Sequence, residues 1–449
     1  MSKHLYYIYG GLFLLFFSET LLWLSIDISD FLLPILLANS FILFGLALYD
    51  TSLCFNLVIL ILPVKNILLK YEVGIVTFNI YMAGIFGLFI AYIIKATMRF
   101  SLMFDVKSAD KLLFLFAVYS LSFFFVSPDY LISGYVFLHS VFIPLCGYVI
   151  VRYCLDSKEK YDVFRWHFLI SVFILAVATI VIYFTQGGRT LSVFGTNALK
   201  SASYFVLAFL LMFNSFDKKK FICSCVYLFA FILCLCRVYL FNMILLPMYF
   251  LVLKHFKVRS FVLGIIIITF SFTLLTISLY DPIEYANITR KYYKTSGAER
   301  KRIAESSDRL TNIDHWKISY YGLAGMWRHE LATFSKRPFV GKGIGNTDIR
   351  GVTSSHNLHV QLLCYEGVLG WLLFHFFFFA SFKFVQFSNH KLSHDFKSVI
   401  LVAVMIYMNG TTNGLFHGDF NYFLFILLAL IQNMGSYQLS YGTHLKSKA

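Results

Sequence analysis

The chain has 449 residues, of which 59% are hydrophobic, 19% aromatic and only 14% charged, well below the ~25% charged share of a soluble domain. That composition excludes a soluble enzyme and predicts an all-α polytopic integral membrane protein. The net charge of +15 raises nucleic acid as a partner, but no stacking platform or basic fold accompanies it, and apolar chains concentrate Lys and Arg in cytoplasmic loops.

A membrane-crossing helix needs about 20 apolar residues. Such runs fall at about 5–25, 30–49, 53–69, 74–96, 111–127, 131–151, 164–186, 200–214, 220–236, 239–254, 261–280, 357–380, 397–415 and 419–434. The expectation is about fourteen transmembrane helices (12–14), divided only by a polar stretch after residue 280. The N-terminal Met1-Ser2-Lys3-His4 leads into the first run without a small-residue cleavage site, so that run reads as a retained anchor.

Basic residues in short loops set the orientation. Lys95, Arg99 and Lys107, then Arg152, Lys158, Lys160 and Arg165, then Lys218, Lys219 and Lys220, then Lys254, Lys257 and Arg259, then Lys383, Lys391 and Lys397 fall in alternate connections. The intervening connections are short and neutral or acidic, such as Asp27 with Asp30, or Ser127-Pro128-Asp129. The alternation predicts both termini in the cytoplasm. Three features then lie outside: the loop from Gln186 to Asn197, Arg237 between two apolar runs, and the segment 281–356. The chain thus divides into a bundle at 1–280, a large outer loop with short helices at 281–356, and further spans with a cytoplasmic tail at 357–449. Within the loop, 287–312 reads as a solvated mixed-charge helix. Tyr320–Ser335 reads as a partly amphipathic helix with Leu323, Met326, Trp327, Leu331 and Phe334 on one side.

Few residues carry recognisable chemistry. Gly341-Lys-Gly-Ile-Gly-Asn346 lacks the Walker pattern and its strand–helix context, so its glycines read as a tight backbone path past a lipid or sugar. Lys336, Arg337 and Lys342 beside them are candidates for an anionic head group. His356, with Ser354 and Ser355 as helix-capping candidates, is either an interfacial histidine or a neutral base at a helix N-terminus. Arg189 and Arg237, near the outer ends of apolar runs, either snorkel or hold a phosphate. Glu366 reads as about 15 Å into its helix and paired with a basic residue, and His417 and Asp419 as loop polarity. Cys223, Cys225, Cys234 and Cys236 lie inside apolar runs and lack zinc-site spacing. No metal site, Ser-His-Asp arrangement, HExxH or paired-carboxylate site is present.

From Trp327 to Gly370 the sequence resembles the O-antigen polymerase and ligase family, membrane glycosyltransferases acting on undecaprenyl-diphosphate-linked glycans. Trp327 stands in a helix. Pro338, Gly341, Gly343 and Gly345 form a Pro-x-x-Gly-x-Gly run, and His356-Asn357 precedes Glu366, Gly367 and Gly370 at the entry to a membrane helix. Upstream, Arg189 with Gly195 and Asn197 resembles the family's Arg…Gly…Asn element, and Arg237 its later arginine. The family's loop arginine commonly precedes the tryptophan. Here Ala324 stands there, and Arg309 is the substitute, with Arg328 second.

The resemblance implies a GT-C-like membrane glycosyltransferase that needs neither metal nor cofactor and inverts at the transferred sugar. Arg189, Arg237 and Arg309 would offset the diphosphate charge and His356 would accept the acceptor-hydroxyl proton. Asn197, Arg328, Arg337, Lys342, Asn357 and Glu366 would line the substrate site. Expected partners are the lipid-linked oligosaccharide, the bilayer, a chain-length regulator and a flippase, with no nucleic acid. An O-antigen (surface polysaccharide) polymerase at the periplasmic face of the bacterial inner membrane is the leading expectation, favoured over the ligase by the span count. The other class is a lipid-linked sugar transporter, for which two-fold repeats and midplane polar residues are the expected marks; the chain shows neither.

Overall fold

The computed structural model describes residues 32–64, 70–73, 76–99, 105–124, 130–186, 192–193, 196–212, 218–234, 258–284, 286–287, 313–343, 357–383, 393–413 and 420–446. Fourteen α-helices run through these residues. The first seven are α1 Leu32–Tyr49, α2 Thr51–Ile61, α3 Ile80–Met98, α4 Ser108–Phe124, α5 Tyr130–Phe137, α6 Ile143–Cys154 and α7 Lys158–Gln186. Next come α8 Ala198–Met212, α9 Lys218–Leu233, α10 Val258–Ser278 and α11 Ile313–Phe334. The last three are α12 Leu358–Ser381, α13 His394–Asn413 and α14 Phe420–Lys446.

Local chemistry sets several of these boundaries. The Asp50 carboxylate accepts from Leu53 N at 3.0 Å and starts α2, and Asn79 does the same for α3 through Met82 N. The span expected from residue 74 therefore begins at Ile80. The residues before it form a hairpin, β1 Lys70–Val73 antiparallel to β2 Val76–Asn79, with Lys70 opposite Asn79. A second, shorter hairpin pairs β3 Ser192–Val193 with β4 Thr196–Asn197. Helices α5 and α6 join through a π turn at Leu138–Phe142. Pro144 follows at the start of α6 and lacks the N–H that would bond the carbonyl four residues earlier.

Among the described residues, five helices are long and apolar enough to cross a membrane: Ile80–Met98, Ile132–Cys154, Lys158–Thr185, Val258–Ser278 and Leu358–Ser381. Five shorter apolar helices accompany them. A chain with several such helices is a membrane protein. On α7 a stripe of Trp166, Ile170, Ile174, Val177 and Val181 is exposed, the spacing of a lipid-facing helix side. The expected spans 5–25 and 239–254 lie outside the described residues, as does most of the expected mixed-charge helix at 287–312. The loop helix begins seven residues earlier than expected, at Ile313.

One end of the bundle is tied by buried polar contacts. Lys95 reaches Thr51 Oγ1 at 2.5 Å and the Ala47 carbonyl at 3.1 Å, closing the α1–α2 corner. The Arg152 guanidinium meets both Asp110 carboxylate oxygens at 3.3 Å, the Asp105 carbonyl and Asn433. Tyr148 donates to Asp110 at 2.7 Å. Lys107 donates to the Gln432 carbonyl and to Ser436, and Arg165 pairs with Asp395 at 2.6 Å. These residues come from the starts of α4, α7 and α13 and the later parts of α3, α6 and α14. Lys95, Lys107, Arg152 and Arg165 are thus all held at helix ends by partners on other helices.

Candidate functional site

The site is built by α11, the turn that follows it, and α12. Helix α11 packs against α10 and α12, burying Ala324 and Trp327 and tucking Leu323, Leu331 and Phe334 against the core. Pro338 cannot extend a helix. The chain turns there, with Arg337 N donating to Phe334 O and Gly341 N to Arg337 O, both at 2.9 Å.

The turn then inserts into a break in α12. Gly367 has φ 69° and ψ −170°, a conformation outside any helix. Interrupting a helix leaves backbone groups unpaired, and in a bilayer each one costs several kcal/mol. The turn satisfies them. Lys342 N donates to Cys364 O at 2.8 Å and Gly343 N to Tyr365 O at 2.9 Å; in return Val368 N donates to Pro338 O at 2.9 Å and Leu369 N to Phe339 O at 3.4 Å. Tyr119 of α4 adds its hydroxyl to the Glu366 carbonyl at 2.8 Å.

This pairing demands glycine on both sides. A Cβ at Gly341 would meet the Tyr365 carbonyl at 2.6 Å, and one at Gly367 would overlap the Phe339 carbonyl. Both residues also have positive φ, which side chains disfavour.

Because of the break, Leu358–Ser381 is not one rod, and the expectation of a straight span over 357–380 is corrected. His359 and His375 are sixteen residues apart, about 24 Å along a continuous helix, yet their rings stack with centroids 5.1 Å apart. The Trp371 indole donates to His359 Nδ1 at 3.1 Å. Residues 358–366 fold back beside 368–381, with Gly367 at the apex. By length and composition the whole segment qualifies as a membrane-crossing helix, but its geometry is that of a hairpin of two unequal pieces.

The fold-back is anchored inside the bundle. Indole N–H only donates, so His359 carries its hydrogen on Nε2 and gives it to Thr269 Oγ1 of α10 at 3.1 Å. His375 Nδ1 donates to the Trp371 carbonyl at 2.6 Å, leaving Nε2 to accept from Tyr407 of α13 at 2.8 Å. Asn357 is the N-cap of α12: its Oδ1 accepts from Val360 N at 3.0 Å while its Nδ2 donates to Thr273 Oγ1 at 3.1 Å. The cap is thus Asn357 rather than the expected Ser354 or Ser355. It lies three residues later because an asparagine can serve the helix and α10 at once.

Glu366 and Lys342 differ from expectation. Glu366 was expected to be deep in the helix and paired with a basic residue. It sits at the fold-back apex, accepts from Ser120 Oγ at 2.8 Å, and its Oε2 has no hydrogen-bond partner among the described residues. The bare Gly370, where a Cβ would strike the Glu366 side chain, makes room for it. The basic partner goes elsewhere. Lys342 forms a buried ion pair with Glu330 of α11 at 2.8 Å, and the Cys364 thiol donates to the Glu330 carbonyl at 3.2 Å.

Of the motif residues, Pro338, Gly341, Gly343, Glu366, Gly367 and Gly370 thus come together at the α11–α12 junction, Trp327 is buried on α11, and Asn357 caps the other end of the short helix against α10. Arg328, Lys336 and Arg337 are nearby and exposed. Asn197 is in β4, paired across from Ser192. Arg189, Arg237, Arg309, His356 and Gly345 lie outside the described residues, as do His417 and Asp419. Among the described residues, no group of three or more His, Cys, Asp or Glu is arranged to hold a metal ion. Sequence reasoning missed Tyr119, Ser120, Thr269, Thr273, Glu330, Trp371, His375 and Tyr407. They are ordinary residues in apolar runs, and only the fold-back gives them partners. No family model, curated protein or solved structure matches the chain.

Proposed function

We propose that this protein is a membrane glycosyltransferase that polymerises a surface polysaccharide. It would transfer a growing glycan from undecaprenyl diphosphate to the hydroxyl of a lipid-linked repeat unit at the periplasmic face of the inner membrane. One observation carries the reading. The residues that resemble the O-antigen polymerase and ligase motif are spread over more than forty positions, yet Pro338, Gly341, Gly343, Glu366, Gly367 and Gly370 meet at one interlocked junction, with Gly341 against the Tyr365 and Glu366 backbone and Gly367 against that of Phe339 and Val340. In this reading the junction ties the end of an outer loop to the far end of the short helix that follows His356.

In this reading His356 accepts the proton of the attacking hydroxyl, and Arg189, Arg237 and Arg309 face the diphosphate. That group leaves with its own charge, so the chemistry asks the protein for cationic stabilisation and a base. Arg328 and Arg337 are exposed near the junction and suit the substrate's anionic part. Lys342 is neutralised by Glu330 and serves the junction instead.

The test is polymer formation by the purified protein in lipid nanodiscs, supplied with undecaprenyl-diphosphate-linked repeat units. His356→Ala and Arg237→Ala are each expected to lower the rate by about 10²-fold or more. Near wild-type transfer in both would overturn the assignment. In cells, deletion is expected to leave single-repeat lipopolysaccharide. Loss of all O-antigen from lipid A would indicate the ligase instead.

A further inference from the structure

Residues 358–366 form a short helix that begins two peptide bonds after His356 and whose start is held by side chains remote from the glycine motif. Asn357 binds Thr273. His359 is held from both sides, with Trp371 donating to Nδ1 and Nε2 donating to Thr269. Thr269 passes its own hydrogen to the Ile265 carbonyl at 2.8 Å. The Thr269 hydroxyl also lies 3.1 Å from the Ile266 carbonyl, so it keeps an acceptor of its own while receiving from His359. Reversing the imidazole would set Nε2 without its hydrogen and put a donor against the indole N–H in a buried site, which is costly.

These bonds are also what define the start of the short helix. The far end is held by the turn after α11 and by Tyr119 and Ser120. His359, two residues from the N-cap, fixes the near end independently, because it is pinned to two different elements, α10 through Thr269 and the descending half of α12 through Trp371. We propose that Thr269, His359 and Trp371 are positioning residues for the transfer reaction. They set the direction of the helix start that follows His356 in the chain. This proposal rests on the reading of His356 as the base. A misplacement of about 1 Å is enough to cost 10²-fold in such a reaction.

Substitutions that remove one hydrogen bond and keep the volume test it. In Thr269→Val, His359 Nε2–H loses its acceptor, while Thr269→Ser keeps it. In Trp371→Phe, His359 Nδ1 loses its donor. Each full-length variant is purified in nanodiscs and assayed for kcat and KM with lipid-linked repeat units, alongside amide hydrogen exchange over 358–366.

The expected result is a tenfold or greater fall in kcat for Thr269→Val and Trp371→Phe. KM for the donor stays within twofold, exchange over 358–366 is faster, and Thr269→Ser remains within threefold of wild type. The proposal is overturned by wild-type kcat in Thr269→Val, by an equal loss in Thr269→Ser, or by a change confined to KM. Faster exchange with unchanged kcat also overturns it, since the helix is then held for reasons unconnected with the reaction. His356→Ala separates the two levels. If it transfers normally, the base assignment is wrong. If it is dead while Thr269→Val is fully active, the base assignment stands and only the positioning proposal falls.

Discussion

His359 stacks on His375 at 5.1 Å across sixteen residues of sequence, a contact that only a reversal of the chain at Gly367 permits. The same reversal brings Trp371 within hydrogen-bond distance of His359, and these contacts make the start of α12 a buried anchor point.

The fold-back predicts energetic coupling where a straight helix predicts none. In a double-mutant cycle combining His359→Ala with Trp371→Phe, the stabilities in detergent are expected to be non-additive by about 0.5–1.5 kcal/mol, the range for contacting residues. Twelve residues apart in a straight helix, the side chains would be about 18 Å apart and the cycle would close to within error.

The glycine contact predicts a steep local intolerance. Gly367→Ala places a Cβ on the Phe339 carbonyl at a residue with positive φ. Backbone strain of about 1–3 kcal/mol adds to the loss of the hydrogen bonds that the turn supplies. The expected outcome is a loss of more than about 2 kcal/mol, seen as a lowered melting temperature or absent folded protein. Gly264→Ala is the control, since nothing lies within 4 Å of the added atom, and it should be well tolerated.

Lys342 was expected to contact a head group, but it forms a buried pair with Glu330. Removing one partner of such a pair leaves an uncompensated charge and typically costs about 3–5 kcal/mol, whereas removing both costs much less. Lys342→Met alone should therefore destabilise strongly, and Glu330→Gln with Lys342→Met should recover most of the loss. Recovery of stability without recovery of transfer would return Lys342 to the substrate.

Helical class and the approximate places of several helices were legible because long apolar runs and basic loops obey simple rules. The helices expected at 30–49, 164–186 and 261–280 are matched by Leu32–Tyr49, Lys158–Gln186 and Val258–Ser278. The cluster of glycines was legible as a tight backbone path. Its partner was not: in place of the expected lipid or sugar, Gly341 meets Tyr365 and Glu366 and Gly367 meets Phe339 and Val340, contacts between two separated backbones that leave no local signature. Hydropathy also cannot report a reversal inside one apolar run: residues 358–381 score as a crossing helix whether straight or folded. The histidines at 359 and 375 offered no period that singled them out. Their roles arise from Thr269 and Tyr407, which sit on other helices.

The basic end of the bundle yields a prediction whose sign follows from burial. Lys107 stands just before α4 with its ammonium on the Gln432 carbonyl and Ser436. Burial, aided by the nearby Arg152 charge, pushes it down from the usual lysine value to about 8, against the opposing pull of Asp110 and Asp105. An unfolded lysine holds its proton to about pH 10.4. Between these two values the folded protein binds fewer protons than the unfolded chain, so this group makes stability rise with pH. Below about pH 8 both states are protonated and the penalty for the buried charge is present in full. The neutral amine still has hydrogens for both of its acceptors, so losing the charge does not break the contact. Lys107→Gln, which does not titrate, should lack the rise. The melting temperature of wild type minus that of the variant is expected to increase steadily from pH 7.5 to pH 10. A difference that stays flat over that range would mean that Lys107 titrates as a solvated amine and that the clamp between α4 and α14 is open to water.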